Sequence, residues 1–233
     1  MHMLDYLLFQ VYPYIAGTVF LLASLVRYDM SQYTWKTNSS QLLDNRLAFR
    51  VGSYLFHLGV IFLFFGHLIG LLMPHALYPY VGLTPHSKQI LAMVSGGLAG
   101  TAAIVGATLL LYRRVFNARV RAQSLRGDIF VLVLLYVQLV FGLTTIPISG
   151  QHLDGTEMLK LADWAQHIVT FRPGASEFLA GVSWVFKVHL FLGLTVFLVF
   201  PFTRLVHIWS VPYRYFGRRY QVVRQRGPAA RRA

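Results

Sequence analysis

Five stretches of this 233-residue chain are apolar over about the length that crosses a bilayer: Tyr6–Val26, Val51–Met73, Ile90–Tyr112, Ile129–Ile146 and Val188–Val211. A helix rising about 1.5 Å per residue needs roughly 20 residues to pass through about 30 Å of hydrocarbon. The fourth run is a little short and the fifth is interrupted by Arg204. Composition agrees, because 56% of the chain is hydrophobic and only 12% is charged, against roughly a quarter charged in a soluble domain. The opening "MHMLDYLLFQ" has neither the basic region nor the small-residue cleavage site of a signal peptide, so the first run is read as a span. The expected fold is all-α and integral to the membrane: one domain over residues 1–233, a bundle of five transmembrane helices.

Charge orients the bundle. The formal net charge of +13 is distributed unevenly. With the N-terminus outside, seventeen of the 21 Lys and Arg fall on inner segments, leaving Lys88, Lys160, Arg172 and Lys187 outside. The positive-inside rule therefore predicts an outer N-terminus and a cytoplasmic C-terminus. This asymmetry assigns the basic charge to a membrane surface rather than to nucleic acid. The tail at 212–233, basic and aromatic, reads either as a lipid-tethered cytoplasmic segment or as a docking segment for a partner.

Between the spans, residues 147–186 form a long outer connection. Within it "DGTEMLKLADWAQHIVTF" places Met158, Leu161, Ala162, Ala165, Ile168 and Val169 at helical spacing. That pattern predicts a helix lying along the membrane face or capping the bundle. In the second span Gly52, Gly59 and Gly66 recur at sevens, which suits either close helix packing or backbone laid beside a flat macrocycle. Gly96 and Gly100 in the third span have the spacing of a helix-packing pair.

The chemistry lies in the histidines. The chain has no cysteine, so it carries no disulfide, no thiolate cluster and no site for covalent haem attachment. Of nine histidines, His2, His75, His86, His152 and His167 fall in predicted loops or interfaces and read as structural or solvated. Four fall inside spans, where an ionisable residue marks function. His57 and His67 lie on the second span, His189 and His207 on the fifth, which runs the opposite way. Depth therefore pairs His67 with His189 near the outside and His57 with His207 near the inside. The rises disagree, about 15 Å on one helix against about 27 Å on a straight fifth helix, and Pro201 is the expected place for a kink. Two imidazoles per centre are too few for a structural zinc site, but they complete the axial positions of a haem. Two non-covalent b haems across the membrane are the expectation. Arg204, three residues before His207, is placed either to pair with an inner haem propionate or to snorkel to the interface.

The stretches "YPYIAG", "RYDMSQYTW", "FHLGVIFLFFGH", "PISGQHLDGTEMLKLADWAQ", "FKVHLFLGLTVFLVFPFTRLVHIWSVP" and "RRYQVVR" run through nearly the whole chain. On these the sequence resembles the gamma subunit of respiratory nitrate reductase, a membrane cytochrome b. The resemblance implies His67 and His189 as ligands of the outer haem, and His57 and His207 as ligands of the inner one. It further implies that Lys88 binds quinol near the outer haem. Electrons would pass inward to an iron–sulfur beta subunit and a molybdenum-containing alpha subunit, in the cytoplasmic membrane of a bacterium. The alternative is the equivalent cytochrome of another, sulfur-metabolism oxidoreductase; a proton or solute transporter with a histidine relay is the rival from a different class.

Overall fold

The computed structural model describes residues 3–36, 40, 43 and 46–210. The tail expected at 212–233 and His2 lie outside the described residues. Among the described residues five helices are long and apolar enough to cross a membrane. They are α1 (Met3–Met30), α2 (Leu47–Leu72), α3 (Pro85–Phe116), α4 (Arg126–Ser149) and α6 (Trp184–Val199), the last span continuing to Phe202. Between α4 and α6 lies α5 (Thr156–Val169).

Local chemistry sets several boundaries. Thr84 caps α3: its hydroxyl accepts the Ser87 N–H while Ser87 Oγ accepts the Thr84 N–H, and Pro85 opens the helix. The third span therefore starts five residues before Ile90 and takes Lys88 into its first turn. In α1 a π turn at Leu7–Val11 precedes Pro13. Pro13 has no N–H to offer the carbonyl of Phe9. That carbonyl instead accepts the indole N–H of Trp164 at 2.9 Å.

The fifth span departs from the sequence expectation. No single helix covers Val188–Val211. The α-helix stops at Val199, a short 3-10 turn follows at Phe200–Phe202, Thr203 is extended, and a second 3-10 segment occupies Arg204–Ser210. Pro201 withholds the donor that would continue the helix. Arg27 of α1 satisfies the loosened backbone, donating to the carbonyls of Pro201 and Thr203 at 2.6 and 2.9 Å. The chain then doubles back, for the Trp209 ring lies 5.3 Å from Phe20 and 6.0 Å from Phe200. The 27 Å rise of a straight helix therefore does not apply.

The helices pack in a row: α2 on α3, α3 on α4, α4 on α6, and α6 on α1. The α2–α3 crossing is the tightest. A Cβ on Gly59 would stand 2.8 Å from the Ala99 carbonyl oxygen, and one on Gly106 would stand 2.4 Å from the Phe56 nitrogen. Gly52 likewise meets Leu109. Of the two readings of the glycine heptads, packing accounts for Gly52 and Gly59, whereas Gly66 faces open space. Gly100 packs on Leu143, and its spacing partner Gly96 touches nothing.

The helix α5 caps one end of the bundle rather than lying free on its surface. Trp164 and Ala165 join Phe9, Ala175, Leu179, Val182 and Phe186 in a buried cluster. Gln166 donates to the carbonyls of Leu71 and Met73, both at 3.2 Å, closing the end of α2. The opposite end is basic. There Arg114 pairs with Asp128 at 3.4 Å, both nearly buried, and Arg27 and Arg204 lie close by. Large apolar side chains such as Leu21, Leu58, Phe65 and Leu98 are exposed along the flanks, as a lipid-facing surface requires.

The α2–α3 crossing leaves no room for a methyl group against backbone. Gly106→Ala should cost about 1–3 kcal/mol through overpacking, read as a lowered unfolding midpoint in detergent. Gly96→Ala, with open space around it, should be neutral or slightly stabilising.

Candidate functional site

The helix α2 presents His57 and His67 on its exposed surface, and α6 presents His189. His207 lies on the 3-10 segment that follows the fifth span. The structure brings His67 and His189 face to face, with ring centres 6.0 Å apart and planes inclined at 46°. His57 and His207 lie within electrostatic range of one another.

Three of the four rings are oriented by backbone. His57 Nδ1 donates to the Ser53 carbonyl at 2.7 Å, His67 Nδ1 to Leu63 at 2.7 Å, and His207 Nδ1 to Arg204 at 2.5 Å. A carbonyl oxygen only accepts, so the proton sits on Nδ1 and the lone pair on Nε2. Metal-ligating histidines are commonly held this way. His189 is seated differently. Its ring lies against α4 at Gly142, where an added Cβ would stand 2.8 Å from His189 Cε1. Its Nδ1 is buried without a hydrogen bond, close to the backbone of Gln138, whose own Oε1 is also buried and unpartnered.

These residues suit a metal group with two axial ligands. Imidazole nitrogens bind metals at about 2 Å, which sets two rings on opposite sides of one ion roughly 6 Å apart. The His67–His189 spacing matches that figure. Among the described residues no three His, Asp or Glu side chains converge on one point. The donors available are therefore imidazoles in pairs, as axial haem ligation uses them.

Arg204 is half-buried, with the Arg114–Asp128 pair as its electrostatic neighbours. Its backbone carbonyl accepts from His207 Nδ1 at 2.5 Å. Lys88 is placed more tightly than a surface lysine. It is only 5% exposed. Its ammonium donates to the hydroxyl of Tyr78 and sits 4.1 Å from the centre of the same ring. Snorkelling to headgroups is ruled out by that burial, and among the described residues no carboxylate pairs with Lys88.

Sequence reasoning missed several neighbours of these groups. Tyr78 is 4% exposed and lies beside His75, with ring centres 5.2 Å apart. His75 Nε2 is 3.6 Å from a carboxylate oxygen of Asp163 on α5. Burial, reinforced by Asp163, raises the Tyr78 phenol above its ordinary value, so it stays a neutral hydroxyl. Nothing local in the sequence joins residue 78 to residue 163. Gln138 and Gly142 did carry a signal: a polar residue in mid-span with a glycine one turn further along the same face. His86 and His167 answer to the structural reading, each bonded through Nδ1 to a backbone carbonyl, of Leu153 and Asp163 respectively.

Comparison with known proteins places these features in context. The family model described as "Nitrate reductase gamma subunit" matches residues 5–226. The chain is 53% identical over 223 residues to the respiratory nitrate reductase 2 gamma chain of Escherichia coli K12, covering 96% of this chain and 98% of that one. It is 51% identical over 226 residues to the respiratory nitrate reductase 1 gamma chain of the same organism, covering 97% and 100%. The nitrate reductase gamma chain of Bacillus subtilis is 37% identical over 222 residues, covering 94% and 98%.

Gly142 gives His189 its seat. Gly142→Ala should push the imidazole aside and lower the content of any chromophore held between His67 and His189, measured as absorbance per mole of purified chain. Gly127→Ala, on the same helix with no neighbour within 4 Å, should leave that content unchanged.

Proposed function

The chain belongs to the nitrate reductase gamma subunit family, and from that premise we propose that it is the quinol-oxidising, dihaem cytochrome b subunit of a respiratory nitrate reductase. One observation carries the reading: two imidazoles from different membrane helices face one another at 6.0 Å. A haem held by two imidazoles supplies reversible one-electron exchange with no open coordination position. His67 and His189 would hold one haem, and His57 and His207 the other.

The protein's own groups supply orientation. The Nδ1 bonds of His57, His67 and His207 fix their rings with Nε2 free, while Gly142 admits the His189 ring between α4 and α6. Burial of Lys88 strengthens any hydrogen bond its ammonium makes. One of its three N–H donors goes to Tyr78, which leaves two for the oxygen of a quinol bound near α5. There they would steady the negative charge that develops as the quinol loses its protons.

The distribution of charge supports a cytoplasmic side at the end opposite α5. Arg27, Arg114 and Arg204 gather at the end of the bundle opposite α5, and the positive-inside rule makes that end cytoplasmic. The N-terminus is then outside and the C-terminus inside, in the cytoplasmic membrane of a bacterium. Quinol would release its protons outside while electrons leave through the basic end. The receiving partners would be an iron–sulfur beta subunit and a molybdenum-containing alpha subunit, on which nitrate is reduced. High identity over the whole chain to gamma chains of respiratory nitrate reductases favours this reading over a sulfur-metabolism complex.

Each haem should depend on its own pair. His189→Ala should abolish one haem signal in optical and paramagnetic resonance spectra, and His207→Ala the other. Loss of the same signal in both variants would overturn the pairing. Lys88→Ala should keep both haem spectra and their reduction by dithionite, while reduction by quinol analogues slows by roughly 100-fold or more. A wild-type rate with quinol would move the quinol site elsewhere.

A further inference from the structure

Lys88 does not stand alone at the α5 end. It hydrogen-bonds Tyr78, Tyr78 lies against His75, and His75 faces Asp163. The first two groups are almost fully buried. The side chains of the last two are about one third exposed, at 36% and 33%. The four therefore run as a graded series from the interior to the aqueous surface. Two connections bring them together, the 3-10 turns at His75–Leu77 and Pro79–Val81 from one side, and α5 from the other. Gln166, one turn from Asp163, fixes α5 to the end of α2 through two carbonyls.

We infer that His75 and Asp163 form the proton-release pair of the quinol site, taking up protons at Tyr78 and passing them to the outer aqueous phase. This inference rests on the assignment of quinol binding to Lys88. A quinol becomes a quinone by losing two electrons and two protons. Each O–H bond breaks with its electron going to the haem that His67 and His189 would hold. The proton needs an acceptor of its own. Lys88 donates to the Tyr78 oxygen and occupies its acceptor side, which leaves the Tyr78 O–H proton free to move. Lys88 passes the proton it shares to the Tyr78 oxygen as the hydroxyl proton leaves toward His75, whose ring centre lies 5.2 Å from that of Tyr78. The quinol proton replaces the one Lys88 gave up. His75 and Asp163 retain the capacity to bind the released proton: His75 Nε2 makes no hydrogen bond, and the Asp163 carboxylate faces it at 3.6 Å. The other charged groups around the pair are accounted for. Lys88 is the cation on the α3 side, and on α5 Lys160 pairs with Glu157 at 3.4 Å while His167 bonds the Asp163 carbonyl.

The test uses the intact complex in membranes. Asp163→Asn and His75→Gln keep size and hydrogen bonding but remove proton affinity. Both should retain haem spectra and dithionite reduction, while quinol-driven haem reduction falls by roughly tenfold to 100-fold. Formate, a small weak acid, should restore much of the rate in Asp163→Asn, an effect that a structural defect would not show. Rapid-mixing infrared spectroscopy should detect a transient protonated carboxyl on quinol addition in the wild type and none in Asp163→Asn. Wild-type quinol rates in both variants, or slowed rates that formate leaves unchanged, would overturn the inference. If Lys88→Ala is slow with quinol while these two variants are normal, the quinol site stands and the release pair falls. If Lys88→Ala also turns over normally, the quinol site itself is misplaced.

Discussion

Within a hydrocarbon layer no water is at hand to bond a stray carbonyl, and each unsatisfied backbone group costs several kcal/mol. That constraint makes the spans helical, and it also governs every place where a helix is broken or ends. Pro13 deprives the Phe9 carbonyl of its helical donor, and Trp164 of α5 supplies a replacement. Pro201 stops the fifth span, and Arg27 covers the carbonyls of Pro201 and Thr203. Gln166 closes the end of α2, and Gln89 donates to the carbonyls of Ser149, the last residue of α4, and of His152 just beyond it. Each repair ties one element to another. The long-range order of the bundle is built in part from bonds that first serve the backbone.

The same constraint shapes the polar groups placed inside the membrane. An imidazole there needs a partner, and its own helix offers one, a carbonyl three or four residues back. His57, His67 and His207 all take that route. The bond satisfies one nitrogen and leaves the lone pair on the other, the form of imidazole that is able to ligate a metal. His189 takes no such bond and depends instead on the groove opened by Gly142. Glycine likewise holds α2 against α3, which leaves both histidines of α2 on the remainder of its surface.

Several features were legible along the chain because their causes are local. Length and hydropathy located the five spans, and the periodic apolar residues of 158–169 located α5. Depth alone, with opposite helix directions, paired His67 with His189, and the two rings do meet. The fifth span was misread. Proline signalled a kink, but its extent depended on Arg27, 174 residues away from Pro201, which stabilises a full break. The burial of Lys88 was not legible along the chain, because the connection ahead of α3 carries no sign of folding inward. In the structure Lys88 is buried against Tyr78.

The sequence by itself determined how many helices are long and apolar enough to cross a membrane, where each begins to within a few residues, and that the second and fifth carry His57, His67 and His189. Hydropathy, proline geometry and residue spacing act over one or two turns, so they are present before any packing occurs. The tertiary structure alone decided what surrounds those groups: Gly142 beneath His189, the return of Trp209 onto Phe20, and the meeting of Lys88, Tyr78, His75 and Asp163. Those contacts join residues on separate helices and connections. They exist only once α2 has settled against α3 and α5 has closed over the end of the bundle, and no local periodicity encodes that arrangement.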